Sequence, residues 1–437
     1  MARPIGVDLF SGAGGMSLGF EQAGFDVVAA VEIDPVHAAV HKFNFPECAI
    51  IPMSVTDVSG KDIRRAAGIR NRKVDVVFGG APCQGFSLIG QRALDDPRNS
   101  LVKDFVRIVR ELDATCFVFE NVKGLTVGRH RKFLFELIEE FETLGYDVQK
   151  DWRVLNAADY GVPQDRQRLI LMGTKRGHKL PAYPSVISKR PTCRDALGDL
   201  PDAEEFERLR SSDAVNAAFG IPSRYAEPLR GVGNDAWGYG YPRNWDNSLL
   251  TSSARTEHTE ISRRRFRETE QGRVEPISRF FKLPADGVSN TLRAGTDSAR
   301  GAFTSPRPIH YAYARCITVR EMARLHGFPD WFRFNATKWH GARQIGNAVP
   351  PPLARAVATS IIKALSDVRR TRPTKVLNLG DEALLTMGNS AAASHFGVAN
   401  PIGRRDKKSG AKKRTQAEIE ASNSFDGGIQ TVKRVAG

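Results

Sequence analysis

Between residues 5 and 173 the chain alternates short, continuously apolar runs with stretches of helical periodicity, and few folds accept that pattern. The candidate strands are residues 5–10, 26–31, 74–78, 115–119 and 169–173. Helical periodicity marks residues 15–23, 35–44, 101–112 and 131–144. Strands that are apolar on both faces need helices on both faces. The pattern therefore predicts an α/β fold with a doubly wound, mostly parallel sheet over residues 1–175. A chain of 437 residues, 41% hydrophobic, has room for that domain and a smaller second one.

The character changes across residues 176–312. Prolines and glycines multiply, helical periodicity fades, and arginines interleave with aromatics, as in GVGNDAWGYGY at 231–241 and Arg263, Arg264, Arg265 and Phe266. This predicts an irregular, loop-rich second domain. Regular structure returns near Thr318, where a capping box with Glu321 opens a helix. Residues 313–367 are expected to return to the first domain and complete it. Residues 368–437, with a basic cluster at 404–414, are expected to form a disordered basic tail.

No run approaches the roughly 18–20 apolar residues of a membrane span, and the N-terminus carries no signal-peptide pattern. A cytoplasmic protein with no membrane partner is expected. The five cysteines (48, 83, 116, 193 and 316) are scattered and lack Cys-x-x-Cys spacing, which argues against disulfides and a zinc site. A formal net charge of +15 suits a partner made of phosphates, because lysine and arginine contacts release its counterions.

Four constellations carry chemistry. Asp8 to Gly15, DLFSGAGG, is a strand, a glycine-rich turn and a helix start, and Glu32 ends the next strand, where a carboxylate can accept from ribose hydroxyls. The turn alone serves equally as a cofactor site or a tight turn, and a dinucleotide fingerprint would need glycine at Ser17. GGAPCQGFS at 79–87 places Cys83 in a loop at the carboxyl end of a strand, exposed as a nucleophile rather than packed as core. Phe117-Val-Phe-Glu120-Asn121-Val closes an apolar run with an acid, which read alone is equally a solvated loop carboxylate or one partly desolvated at the sheet edge with a raised pKa. Arg166 and Arg168, two apart on extended chain, point the same way and could serve a phosphate, a carboxylate or a base carbonyl.

In order, these segments resemble the DNA (cytosine-5) methyltransferases of bacterial restriction-modification type. DLFSGAGG is similar to the family's cofactor motif, APCQGFS to its Pro-Cys-Gln loop, FENV to its Glu-Asn-Val segment and QDRQR to its Gln-x-Arg-x-Arg segment. TVREMARLHGFP and QIGNAVPPPLA resemble its last two motifs. The resemblance implies a Rossmann-like S-adenosylmethionine-dependent methyltransferase domain and, at 176–312, a target-recognition domain. It implies that Cys83 adds to C6 of a flipped cytosine, that Glu120 serves the N3/N4 edge, and that Arg168 holds O2 with support from Arg166. It places Phe10, Gly12, Gly14 and Glu32 on S-adenosylmethionine, with Pro82, Asn347 and Ala348 nearby. Where the family has an Asp facing adenine this chain has Ser54, with Asp57 three residues on as the acidic candidate. Gln84, Ser87, Thr291 and Leu292 fall at DNA-binding positions. A monomer acting on double-stranded DNA, beside a separate cognate restriction endonuclease, is the implied setting.

Other classes fit less well. An RNA-directed relative leaves the long 176–312 segment without a purpose, and an inactive DNA-binding relative would lack one of Cys83, Glu120 and Arg168. A zinc deaminase needs P-C-x-x-C, but Phe86 stands where the second cysteine should be.

Overall fold

The computed structural model of the protein describes residues 3–82, 99–127, 130–233, 235–295, 307–365, 368 and 370–399. The first region builds an eight-stranded sheet from β1 (Ile5–Leu9), β2 (Asp26–Val31), β3 (Ala49–Ile51), β4 (Val76–Gly79), β5 (Cys116–Val122), β6 (Tyr146–Val148), β7 (Arg153–Asn156) and β8 (Gln167–Lys175). The order is β3-β2-β1-β4-β5-β8-β6, and β7 also pairs with β8. The pairings among β1 to β5 are parallel, as predicted. β8 runs antiparallel to β5, β6 and β7, an edge that the apolar runs alone do not foretell.

The helices of this region are α1 (Gly15–Ala23), α2 (Pro35–Asn44), α3 (Gly60–Ala66), α4 (Ser100–Glu111) and α5 (His130–Thr143). Strand periodicity divides the core in two. Val77, Phe117, Phe119 and Leu171 pack with Phe105 and Val109 of α4 and Leu134 and Phe141 of α5. Val76, Phe78, Val118 and Met172 face the other way, toward α1, where Phe20 stacks on Phe78 with centroids 3.7 Å apart. Glu120 and Arg168 have the same parity as Val118 and Met172, so register sends both side chains to that second face.

The second region holds α6 (Cys193–Leu197), α7 (Ala226–Leu229), α8 (Glu260–Glu268) and the two-residue strands β9 (Val215–Asn216), β10 (Arg243–Asn244) and β11 (Leu249–Leu250). Its strands are two residues each, and α8, with nine residues, is its longest helix among the described residues. Then follow α9 (Val319–Leu325), α10 (Lys338–Asn347) and α11 (Pro351–Ala364). Thr318 caps α9 through the predicted box with Glu321. Residues 313–367 return to the first region and also meet the second. Val319, Met322, Leu325, Phe328 and Phe332 share one core with Cys193, Leu197 and Leu209 of the second region and with Leu18, Ala30, Phe45 and Cys48 of the first. From Val349 through α11 the chain packs beside α1.

The expected tail also needs correcting. Residues 377–396 form β12 (Leu377–Asn378), α12 (Ala383–Thr386) and α13 (Asn389–Phe396). The polar average of 368–437 hides a local apolar run, and Leu377, Leu384 and Leu385 are buried. The cluster at 404–414 lies outside the described residues.

The approach of α1 to α11 depends on Gly19. A Cβ there would sit 2.4 Å from the Ala354 Cβ and 2.7 Å from the Arg355 nitrogen. Gly19→Ala should therefore lower stability by about 1–3 kcal/mol, as overpacking does. Gly388→Ala, with nothing within 4 Å, should stay within about 0.5 kcal/mol. Equal urea midpoints for the two variants would refute this account of the helix contact.

Candidate active site

The chain runs from β1 outward to β2 and β3, then crosses back to β4 on the other side of β1. Such a reversal leaves a crevice beyond the carboxyl ends of the two central strands. A cavity of about 660 Å³ lies there. Its walls are residues 10–13 after β1, Glu32 to Asp34 after β2, residues 80–82 after β4, Glu120 to Val122 on β5, and Arg168 on β8. Residues 343–349, where α10 passes into α11, close one side.

The glycine turn is held in a strained form. Phe10, which is not glycine, has φ 61°, and Gly12 has φ 54°. The Gly12 nitrogen donates to Glu32 Oε2 at 2.7 Å, and the Asp34 nitrogen donates to Glu32 Oε1 at 2.9 Å. Glu32 thus joins the turn to the first turn of α2, where Asp34 caps the helix. Burial raises the Glu32 pKa, opposed by His37 with its Nδ1 3.9 Å away.

Asp8 lies deeper, on the cavity floor. Burial pushes its pKa up to about 8, a hydrogen bond from Ser17 Oγ at 2.6 Å opposes the rise, and the Glu32 charge adds to it. His41 Nε2 stands 3.1 Å from the same hydroxyl.

At the other end of the cavity Arg168 Nε meets Glu120 Oε1 at 2.8 Å. β5 continues to Val122, so Glu120 sits within the sheet opposite Ile170 and not at its edge. It is 9% exposed, and burial raises its pKa against the opposing charge of Arg168. Gly80 makes room, since a Cβ there would lie 2.4 Å from Glu120 Oε2. Asn121 Nδ2 donates to the Ala81 carbonyl at 3.0 Å and fixes the start of the next loop. Pro82 lines the cavity, and Cys83, Gln84 and Ser87 beyond it lie outside the described residues.

Of the residues expected on a cofactor, Phe10, Gly12, Glu32, Pro82, Asn347 and Ala348 line this one cavity. Two do not. Gly14 is needed for packing, because a Cβ there would fall 2.5 Å from the Phe45 ring. Asp57 is exposed, one turn past Ser54, and Ser54 is the residue on the cavity wall. Arg166 is also displaced from the chemistry. It is 1% exposed and donates to the carbonyls of Leu292, Gly346 and Ala348 at 2.9, 2.7 and 2.9 Å. Leu292 is itself buried, its nitrogen bonded to Gln164 Oε1, and Thr291 Oγ1 donates to the Asp165 carbonyl. This pair anchors a loop, and Leu292 presents no side chain to a partner.

Asp8, His37 and Arg343 are cavity residues that motif reasoning passes over. An acid ending the first strand was visible at Asp8. Nothing in the sequence marks the others.

The fold is that of the Rossmann-like methyltransferases, a mostly parallel sheet with its cavity at the switch point. The profile of the C-5 cytosine-specific DNA methylases matches residues 6–363, and the chain belongs to that family. Among curated proteins it is 61% identical over 402 residues to the type II methyltransferase M.XorII of Xanthomonas oryzae pv. oryzae, covering 92% of this chain and 94% of that one. It is 37% identical over 363 residues to M1.HphI of Haemophilus parahaemolyticus, covering 82% and 86%. A solved structure assigned as a prophage-encoded DNA modification methyltransferase of E. coli superposes with a TM-score of 0.68. That chain is 32% identical, and the match covers 83% of this chain and all of that one.

The buried acid gives a signed prediction. Between its ordinary 3.8 and about 8, Asp8 keeps its proton in the folded chain but loses it on unfolding. Its contribution to stability is therefore fully present below the lower value and is lost as pH rises toward the upper one. The stability of Asp8→Asn relative to wild type should climb from pH 4 to pH 8 in urea titrations. A difference independent of pH would show that Asp8 is already ionised in the folded protein.

Proposed function

We propose that this methyltransferase acts on C5 of a cytosine flipped out of a specific duplex DNA sequence, with S-adenosylmethionine as methyl donor. One observation carries the proposal: the glycine turn with Glu32 and the buried Glu120–Arg168 pair open on the same cavity. The cavity fits the cofactor chemically. Acceptors on Glu32 suit ribose hydroxyls, Ile33, 52% exposed, would offer an apolar surface to adenine, and the Ser54 hydroxyl on the same cavity wall would hydrogen-bond its amine. Phe10, Gly12, Pro82, Asn347 and Ala348 complete the cradle. When bound there, S-adenosylmethionine supplies an electrophilic methyl group on a sulfonium sulfur.

The residues of the chain account for the rest. C5 of cytosine is a weak nucleophile until a thiolate adds to C6, and Cys83, one residue past the cavity wall, is that thiolate. Addition pushes electrons toward N3. Glu120, its pKa raised by burial, can protonate N3 and accept from the exocyclic amine. Arg168, held by Glu120, faces O2 and stabilises negative charge there. Once C5 carries its new methyl group, loss of the C5 proton expels Cys83 and restores the aromatic ring. None of these atoms is accessible in a stacked duplex, so the base must leave the helix. Gln84 and Ser87 follow Cys83 in sequence and would contact the DNA.

The similarity to type II methyltransferases supports a role in protecting DNA from a cognate restriction endonuclease that acts as a separate protein. No helix among the described residues is long and apolar enough to cross a membrane. We take the working form to be a cytoplasmic monomer on double-stranded DNA.

Bisulfite sequencing of DNA from cells expressing the chain should reveal protected cytosines in one short context, absent with Cys83→Ala. Protection that survives Cys83→Ala would remove that thiol as nucleophile, and transfer to RNA instead of DNA would overturn the substrate. Glu120→Gln should slow single-turnover transfer by about tenfold to a hundredfold. Because the Glu120 pKa is raised and its protonated form is the active one, the wild-type rate should fall as pH rises through it. A Glu120→Gln profile with the same falling limb would reassign that limb to another group.

A further inference from the structure

Residues 370–399 follow the segment that the family profile covers and run along the outside of both regions. The Arg370 guanidinium lies 4.6 Å from the Tyr239 ring, and β12 pairs in parallel with β10 of the second region. The Gly380 nitrogen then donates to the Phe43 carbonyl at the end of α2, at 2.8 Å. Leu384 and Leu385 are buried in one cluster with Ala39, Val40 and Phe43 of α2 and with Ala13 of the glycine turn. Beyond them the Leu385 carbonyl accepts from the Ala336 nitrogen at 2.8 Å, and the Met387 carbonyl accepts from Asn335 Nδ2 at 2.9 Å.

The anchors from Gly380 onward back walls of the cavity. Ala13 lines it directly, and α2 begins with Asp34 and His37, which also line it. The Asn335 nitrogen donates to Gln344 Oε1 at 3.0 Å, and Gln344 is a cavity residue on α10. The segment contributes no lining residue of its own. It is tied to the backs of three walls, and one of them is the turn that must hold positive φ at Phe10, Gly12 and Gly14. A strained turn keeps its shape only when its surroundings over-determine it.

We propose that residues 370–399 are a strap that positions the cofactor end of the cavity, with Leu385 as the central positioning residue. The inference rests on the cofactor reading above. Preorganising a site raises affinity by removing the cost of ordering it on binding. The strap should accordingly govern cofactor affinity and leave the chemical step to the cavity residues.

The test uses the full 437-residue chain and calorimetric binding of S-adenosylhomocysteine. Leu385→Ala should weaken binding by about tenfold or more, whereas Leu385→Met, and Leu209→Ala in the second region's core, should each change it by less than about threefold. The KM for S-adenosylmethionine should rise with the binding constant, while kcat at saturating cofactor stays within about threefold. Amide exchange across residues 11–15 should quicken in Leu385→Ala alone. Unchanged affinity in Leu385→Ala, or an equal loss in Leu209→Ala, would overturn the strap. If Leu385→Ala does not fold by circular dichroism, Leu385→Val is judged by the same criteria. A wild-type chain that fails to bind S-adenosylhomocysteine would overturn the cofactor reading instead.

Discussion

One buried guanidinium holds the two regions around the cavity. Arg166 stands at the start of β8, and its donors reach the Leu292 carbonyl in the second region and the Gly346 and Ala348 carbonyls between α10 and α11. Arginine is suited to this because its planar fork offers five donors in fixed directions, and a lysine ammonium could not span the same carbonyls. Gln164 and His326 extend the tie. Gln164 accepts from the Leu292 nitrogen and donates to the Leu325 carbonyl and to His326 Nδ1, and His326 Nε2 meets the Ala348 carbonyl at 3.0 Å. Burial keeps His326 neutral, which lets one ring nitrogen accept while the other donates. With this knot in place, residues 346–348 cannot leave the sheet without stranding several buried polar groups at once.

The cavity that the knot defines is electrostatically unusual. Asp8 and Glu120 lie within β1 and β5 toward their carboxyl ends, Glu32 follows β2, and burial raises the pKa of each. Three full negative charges in one small space would repel, and the Glu32 charge indeed adds to the rise at Asp8. Arg168 and His37 offset part of this from opposite ends. The outcome is a divided cavity: one end is rich in acceptors, and at the other an acid and a guanidinium hold each other in place.

The second region replaces regular secondary structure with buried ion pairs. Arg324 bridges Asp199 and Asp330, and Arg315 bridges Glu321 and Asp202. Such pairs contribute little net stability over apolar packing, but breaking one leaves an uncompensated charge, so they define a single arrangement of loops. They also change the meaning of the arginine-rich composition. Arg243 is buried against Glu21, and Arg263 is bound by Glu204, so neither is free for phosphates. In that run Arg264 is exposed and remains suited to a DNA partner.

The strands 5–9, 26–31, 76–79 and 116–122, the helices between them, the capping box at Thr318 and the cavity positions of Phe10, Glu32, Glu120 and Arg168 were legible because each rests on local chemistry. Apolar period, cap residues and acids ending strands are properties of a few neighbouring residues. Gly14, Arg166 and Leu292 were legible as important positions but not in kind, because the Phe45 ring and the carbonyls that define their roles come from distant segments. The choice of Ser54 over Asp57 for the cavity wall turns on which side of one short turn faces inward, and spacing cannot decide that. The sequence by itself determined five of the eight strands, the family and the residue types that line the cavity. Only the tertiary structure decided that α9 joins a core shared by both regions and that residues 377–396 are ordered against α2, since both depend on apolar surface offered by elements hundreds of residues away.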